Sequence, residues 1–282
     1  MPETVAGLMR RAAKQLSSRG IETAALDVRL LLQSAAGMTH ADIVAGPDLN
    51  LPADVTARFL LLVERRRAFE PVSRILGTRE FYGRSFRVTP DVLDPRADTE
   101  TLIGATLALA KDKPPLRILD LGTGSGSIVV TLLAELPGAL AVATDLSAAA
   151  LQVAKGNAEA LGVANRVHFV RANWFDGVDG QFDFIVSNPP YIPLGDIAGL
   201  TADVREFDPA KALDGGPDGL EAYRRIASGA GGHLAPKGHV ILEIGAGQEN
   251  AVNDFFKGQG FNPESHHFDL AGHVRCLVFN RP

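Results

Sequence analysis

The chain has 282 residues, enough for one large or two modest domains around a real apolar core. It carries 28 Lys and Arg against 33 Asp and Glu, a formal net charge of -5, which argues against a surface built mainly to grip nucleic acid. A single cysteine, Cys276, leaves no intrachain disulfide and fits a reducing compartment; its ordinary reading is a small buried hydrophobe on a late strand.

Residues 4 to about 70 read as helical throughout. Val5, Leu8, Met9, Ala12, Ala13 and Leu16 recur at helix spacing, and Gly20 is placed to end that helix. A second helix is expected from Thr23 with Leu26, Leu30 and Leu31 inward, and a third after Pro52 with Val55, Phe59 and Leu62 inward. The N-terminal MPETVAGLMRRAAKQL lacks the apolar core of a signal peptide, and no stretch reaches the roughly 18 apolar residues that span a bilayer, so a cytoplasmic protein is expected.

The end of the helical region is basic, with Arg65, Arg66, Arg67, Arg74, Arg79, Arg84 and Arg87 interleaved with Glu64, Glu70 and Glu80. This reads first as a solvated helix face and connector, with a partner-binding patch as the alternative. FYGRSFRV alternates enough for a short hairpin or linker strand. The organisation expected is therefore a helical domain over 1–78, a linker hairpin over 79–92 and a second domain over 93–282.

From residue 116 short apolar runs alternate with helix-length segments. LRILDL, LAVATDL, RVHFVRA, FDFIVSN and HVILEIG are strand candidates, with helices expected from 126, 148, 218 and 247. This alternation predicts a parallel sheet covered on both faces. ESHHFDL and HVRCLVFN are separated only by AGH, too short for a crossover helix, so they are expected to pair as an antiparallel hairpin at one edge. Adjacent His266 and His267 would then face opposite ways, and the seven histidines show no paired ligand spacing, so no metal site is expected.

Two motifs carry chemistry. LRILDLGTGSGSI runs a buried strand through Gly122, Thr123, Gly124, Ser125 and Gly126 into a helix. Glycines allow a ligand close to the backbone, and ligands of open α/β sheets sit at the carboxyl ends of strands. The turn has neither the G-x-G-x-x-G spacing of dinucleotide enzymes nor the G-K-[ST] ending of a P-loop. Asp145 ends the next strand, where a carboxylate can accept both ribose hydroxyls of a nucleoside or can cap the following helix. The second motif, Ser187-Asn188-Pro189-Pro190-Tyr191, ends an apolar strand with two rings that forbid further ladder bonding.

The D-x-G-x-G-x-G turn, the acid on the second strand and the terminal hairpin resemble class I S-adenosylmethionine-dependent methyltransferases, with a Rossmann-like seven-stranded sheet, here preceded by a small all-α bundle. The resemblance implies that Gly122 to Gly126 hold the methionine end of the cofactor and Asp145 its ribose. Asn173 and Trp174 follow the third strand, where such enzymes contact the adenine; a loop-anchoring role for Trp174 stays open. A poorly nucleophilic amide or exocyclic nitrogen can be improved by acceptors for both of its N–H groups. The Asn188 side-chain oxygen and the Pro189 carbonyl suit that task, Pro190 stiffens the turn, and Tyr191 offers a stacking face. An ordinary proline-rich strand exit is the structural alternative.

NPPY is shared by adenine-N6 DNA methyltransferases and by enzymes acting on glutamine amides. Over nearly its full length the chain resembles the bacterial protein-(glutamine-N5) methyltransferases of peptide chain release factors: RRR-x-x-EPV, EFYG-x-x-F-x-V, LDLGTGSG, NPPY, VREFDP-x-x-ALDGG-x-DGL-x-x-YRRI and LEIGAGQ stand in order. The resemblance implies methyl transfer to the glutamine of a Gly-Gly-Gln loop, with the N-terminal domain helping to dock the release factor and the 192–216 insertion bordering the substrate pocket. Stable nucleic-acid binding is not expected, and a monomer is the default. The chain departs from the family in two places. It reads Leu93-Asp94-Pro95-Arg96-Ala97-Asp98-Thr99-Glu100 in place of L-I-P-R-P-E-T-E, and Asn173 stands where aspartate is common. Adenine-N6 methylation of DNA and a non-catalytic adaptor remain the alternatives.

Overall fold

The computed structural model describes residues 3–111 and 116–281. Two compact units make up the chain: Met1–Gly77 with Ala202–Phe207, and Thr78–Thr201 with Asp208–Pro282.

The first unit holds α1 (Val5–Ser17), α2 (Ala24–Ala36), α3 (His40–Ala45), α4 (Ala53–Arg67) and α5 (Val72–Leu76). Each start and stop has a local cause. The Thr4 hydroxyl accepts from the Gly7 amide at the head of α1, Gly37 ends α2 with φ 65°, and Thr39 and Asp42 form a reciprocal capping box on α3. Val5, Leu8, Leu16, Leu31, Leu32, Phe59 and Val63 form its core. Leu26, expected inward, is exposed instead, because the buried stripe of α2 runs through Ala24, Val28, Leu31 and Ala35. Helix α3 is short and has no apolar period long enough to be seen in the sequence. Arg66 also departs from the solvated reading: it is buried, with Nε 2.7 Å from Asp27 and Nη1 donating to the Phe69 and Glu70 carbonyls. Arg65 and Arg67 remain exposed, each paired to a nearby glutamate.

In the second unit, β1 (Thr78–Phe81) and β2 (Arg84–Arg87) make an antiparallel hairpin, followed by α6 (Glu100–Ala110). Then come β3 (Arg117–Leu121), α7 (Ser127–Glu135), β4 (Leu140–Asp145), α8 (Ala148–Ala160), β5 (Val167–Arg171) and β6 (Phe182–Ser187). The chain continues through the short α9 (Ala202–Arg205, which clusters with the first unit) and α10 (Ala210–Leu213). It ends in α11 (Glu221–His233), β7 (Leu234–Glu243), α12 (Glu249–Gly258), β8 (Asn262–Phe268) and β9 (Val274–Asn280).

Among the described residues the main sheet has seven strands in the order β5-β4-β3-β6-β7-β9-β8. The first five are parallel; β9 runs antiparallel beside β7, and β8 pairs antiparallel on its outer side. Successive residues of a strand face opposite ways. Ile118, Phe184, Val186 and Ile241 therefore join α6 and α7 on one face, while Leu119, Ile185, Val240 and Leu242 join α11 and α12 on the other. Covering both faces is why the central strands read as unbroken apolar runs. Helix α6 was not anticipated, because its Leu102, Ile103, Ala105 and Thr106 are all buried and show little periodicity. Cys276 is buried on β9. No helix among the described residues is long and apolar enough to cross a membrane, and no group of three or more His, Cys, Asp or Glu there could hold a metal ion.

Candidate active site

The parallel strands end side by side, Leu121 of β3 in register with Thr144 of β4 and Ser187 of β6. Just past these ends lies a cavity of about 810 Å³. Its wall brings together Gly122, Thr123, Gly124 and Ser125 after β3, Asp145 at the end of β4, Asn173 and Trp174 after β5, and Asn188 and Pro190 after β6. The segment before α6 contributes Leu93, Pro95, Arg96 and Thr99, and the insertion contributes Pro209, Lys211 and Asp214.

The glycine turn is shaped for a ligand at two of its three glycines. Gly122 and Gly124 have φ of 71° and 54°, a region where a side chain costs about 1–2 kcal/mol, and a Cβ on either would project into open space. Gly126 is different. Its φ is 80°, and a Cβ there would stand 3.0 Å from the Ala154 Cβ and 3.2 Å from its Cα, so this glycine lets α7 pack against α8 and is not part of the cavity wall. Asn157 of α8, which the sequence did not single out, fastens the turn: its Nδ2 donates to the Ser125 carbonyl and, with Oδ1, it brackets the backbone of Arg87.

Asp145 has both carboxylate oxygens engaged, Oδ2 by the Gly124 amide at 2.9 Å and Oδ1 by the Ser147 amide at 2.8 Å. It therefore braces the glycine turn from the neighbouring strand. The cap of α8 is Ser147, whose hydroxyl accepts from Ala150, so the capping alternative for Asp145 falls away. Beneath the turn, Asp120 is fully buried; the Thr123 hydroxyl donates to one oxygen at 2.6 Å and the other has no hydrogen-bond partner. Burial pushes its carboxyl up to about 7. Trp174 holds φ 57°, uncommon for a bulky residue, and packs half-buried against the core under α11 while also lining the cavity.

At the second turn, Asn188 and Pro190 face the cavity, whereas buried Pro189 and half-buried Tyr191 are not part of its wall. Tyr191 was expected to offer a stacking face. Its ring instead packs against the core, and its hydroxyl donates to Glu243 Oε1 at 3.4 Å. Burial, with Glu243 alongside, raises this phenol to about 12, so it stays a donor. Asn188 Nδ2 donates to the Thr99 hydroxyl at 3.0 Å, and Thr99 in turn donates to Glu243 Oε2 at 2.6 Å. Gln248 fastens the chain just beyond, donating to the Tyr191 carbonyl at 2.9 Å and the Gly219 carbonyl at 3.2 Å. Gly215 has no room for a side chain, since a Cβ would meet the Tyr191 backbone at 2.9 Å.

The insertion is more ordered than a solvated loop. Its Ile192 and Asp214 form a parallel bridge, and Asp208, itself buried, accepts from Arg96 at 2.6 Å and from the Asp94 amide at 3.3 Å. The segment that lacks the family's second proline is therefore tied down by Asp208.

Comparison with known proteins places these features in context. Residues 7–77 match the model of the PrmC N-terminal domain, and residues 99–199 that of the methyltransferase small domain. A release factor glutamine methyltransferase of Cereibacter sphaeroides is 46% identical over 98% of this chain and 98% of its own length. One of Agrobacterium fabrum is 42% identical over 99% and 98%. Among solved structures, a ribosomal protein L11 methylase from Lactobacillus delbrueckii subsp. bulgaricus superposes with TM-score 0.51 at 22% identity, covering 72% of this chain and 88% of its own. That likeness concerns the fold.

Proposed function

The chain belongs to the release factor glutamine methyltransferases, class I enzymes that use S-adenosylmethionine, and we propose that it methylates the side-chain amide nitrogen of the glutamine in a release factor's Gly-Gly-Gln loop, with Asn188 as the residue that receives that amide. The observation that carries this reading is the shared wall: the open glycine turn, Asp145 and Asn188 border one cavity at the ends of three adjacent strands. S-adenosylmethionine supplies a methyl group on positively charged sulfur and departs as S-adenosylhomocysteine. Gly122, Thr123, Gly124 and Ser125 are the residues to hold its methionine end, Asp145 its ribose, and Asn173 with Trp174 its adenine.

The chain's own part is positioning and electrostatics. A glutamine amide nitrogen shares its lone pair with the carbonyl and is a weak nucleophile. The Asn188 side-chain oxygen and the Pro189 carbonyl, flanked by two wall residues, accept its two N–H groups. This fixes the nitrogen and favours the positive charge that grows on it. The new carbon replaces one amide hydrogen, which leaves to water as a proton, so no dedicated base is needed. Pro190 restricts the turn, and Tyr191 anchors it from behind. The helical unit is the docking element for the release factor in this reading, and the site is cytoplasmic, monomeric and free of stable nucleic-acid contacts.

The test is methyl transfer from labelled S-adenosylmethionine to a purified bacterial release factor, to the same factor with its Gly-Gly-Gln glutamine replaced by alanine, and to duplex DNA. Label in the intact factor alone is expected. Label in DNA, or in the substituted factor at an equal rate, would overturn the assignment.

A further inference from the structure

A side-chain amide has two chemically opposite ends, and only one of them can receive the N–H of a substrate. Asn188 is useful as an acceptor only if its oxygen faces the cavity and its NH2 faces the protein. Nothing in Asn188 itself decides this, since rotation by half a turn exchanges the two ends at almost no steric cost.

The neighbours decide it by proton count. Thr99 is 3% exposed and Glu243 2% exposed, so their partners are chiefly protein groups. Thr99 has one hydroxyl proton, and at 2.6 Å from Glu243 Oε2 that proton belongs to the carboxylate. Toward Asn188, 3.0 Å away on its other side, Thr99 then has only lone pairs, and an acceptor can be met only by the NH2 end. The Tyr191 hydroxyl donates to the other oxygen of the same carboxylate. Glu243 thereby takes hydrogen bonds from Tyr191 and, through Thr99, from Asn188, at opposite ends of the four-residue turn.

We propose that Thr99 and Glu243 are positioning residues that orient the Asn188 amide, its oxygen toward the cavity and its NH2 toward the protein, for the methyl-transfer reaction. The inference rests on Asn188 being the amide acceptor. It applies while Glu243 is ionised. A protonated Glu243 would have a hydrogen of its own to place, and Thr99 would lose the carboxylate that fixes its direction. Burial raises the Glu243 carboxyl to about 7, with the Thr99 hydroxyl and the Arg275 guanidinium pulling it down and Asp98 pushing it up. The other groups around it are Cys276, paired with it across β7 and β9, and Tyr223, whose hydroxyl reaches the Glu243 carbonyl at 3.2 Å. Both are neutral near pH 7, because burial raises the thiol and the phenol. Arg275 itself bridges Asp269 at 3.0 Å and Asp98 at 3.4 Å.

The experiment is single-turnover methyl transfer to a release factor at saturating S-adenosylmethionine, across about pH 5.5 to 8.5, for the parent chain, Thr99→Val, Thr99→Ser, Glu243→Gln and Asn188→Ala. Thr99→Val is expected to slow transfer about 10²-fold with cofactor affinity retained, the scale of a misplaced reacting group, and Thr99→Ser to restore it. The parent should lose rate below about pH 7 and Glu243→Gln should lack that acidic limb, because it has no titrating proton at this position. The idea is overturned by a Thr99→Val rate equal to the parent's, by Thr99→Ser as slow as Thr99→Val, or by an acidic limb that survives in Glu243→Gln. An Asn188→Ala rate equal to the parent's would instead sink the underlying reading of Asn188, and so separates the two failures.

Discussion

The two turns that leave β3 and β6 start from paired strands, yet they are built on opposite plans. After β3 the chain drops its side chains: Gly122 and Gly124 present bare backbone at positive φ to open space. After β6 it adds stiffness, with two prolines, and then holds the turn from behind through Tyr191, Thr99, Glu243 and Gln248. The first plan suits a small ligand gripped by main-chain groups, where any side chain is in the way. The second suits an incoming side chain that needs one acceptor in one orientation. Backbone permissiveness and side-chain pre-organisation are thus divided between two adjacent strand ends.

The sharpest way to break this division is to remove one group from each turn and see which constant moves. Asn188→Ala should lower the transfer rate by about 10²- to 10³-fold, the usual loss when one pre-organised hydrogen-bonding group is removed at a reacting centre. Cofactor affinity, read by calorimetry, should move little by comparison. An Asn188→Ala enzyme whose only defect is weak cofactor binding would erase the distinction between the turns.

The next effect concerns stability. Gly126→Val puts a branched side chain at φ 80° and drives it into Ala154. A cost of about 2–4 kcal/mol in unfolding free energy is expected, from strained backbone plus overpacking. Gly124→Ala has open space and meets only the backbone cost, about 1–2 kcal/mol, so its larger consequence should be a weakened cofactor complex. Urea unfolding and cofactor titration of the pair would show whether the third glycine serves packing and the second serves binding. Asp145→Ala comes after these: losing a carboxylate that braces Gly124 and faces the cavity should raise the cofactor dissociation constant about tenfold, near 1.4 kcal/mol.

This contrast also explains what could be read in advance. The glycine turn and Asp145 were legible as a pair because their elements are contiguous: strand, glycines, helix, then an acid at the end of the next strand. The terminal hairpin followed from the short AGH link, whereas the order of strands in the sheet was not read from the sequence. Asn188 stood out because two prolines cannot continue a ladder. Its partners did not, because Thr99 lies 89 residues before it and is itself 144 residues from Glu243, which lies on the other side of Asn188 in the sequence. Those contacts exist only once β6 and β7 are paired and α6 is packed on the sheet. The LDPRADTE and LEIGAGQ segments were visible as resemblance, with nothing in either to say that they meet. Gly126 shows the converse case: the motif treats three glycines alike, while packing against α8 separates the third from the other two.

A last test asks whether both halves share one electrostatic cost. Asp120 under the first turn and Glu243 behind the second are both raised to about 7 by burial. Their ordinary values are 3.8 and 4.5, so between those values and about 7 the native chain keeps protons that the unfolded chain has released. The native state binds more protons in this window, and unfolding free energy must therefore fall as pH rises through it, levelling off above about 7. Without cofactor, the urea midpoint should be higher near about pH 5 than near about pH 8 for these two groups' part. Asp120→Asn removes one of the two titrations and should flatten the curve, and Glu243→Gln should flatten it by the other share. A slope unchanged in both variants would mean that neither acid is held neutral, and that the carboxylates under the two turns keep their charge in the empty protein.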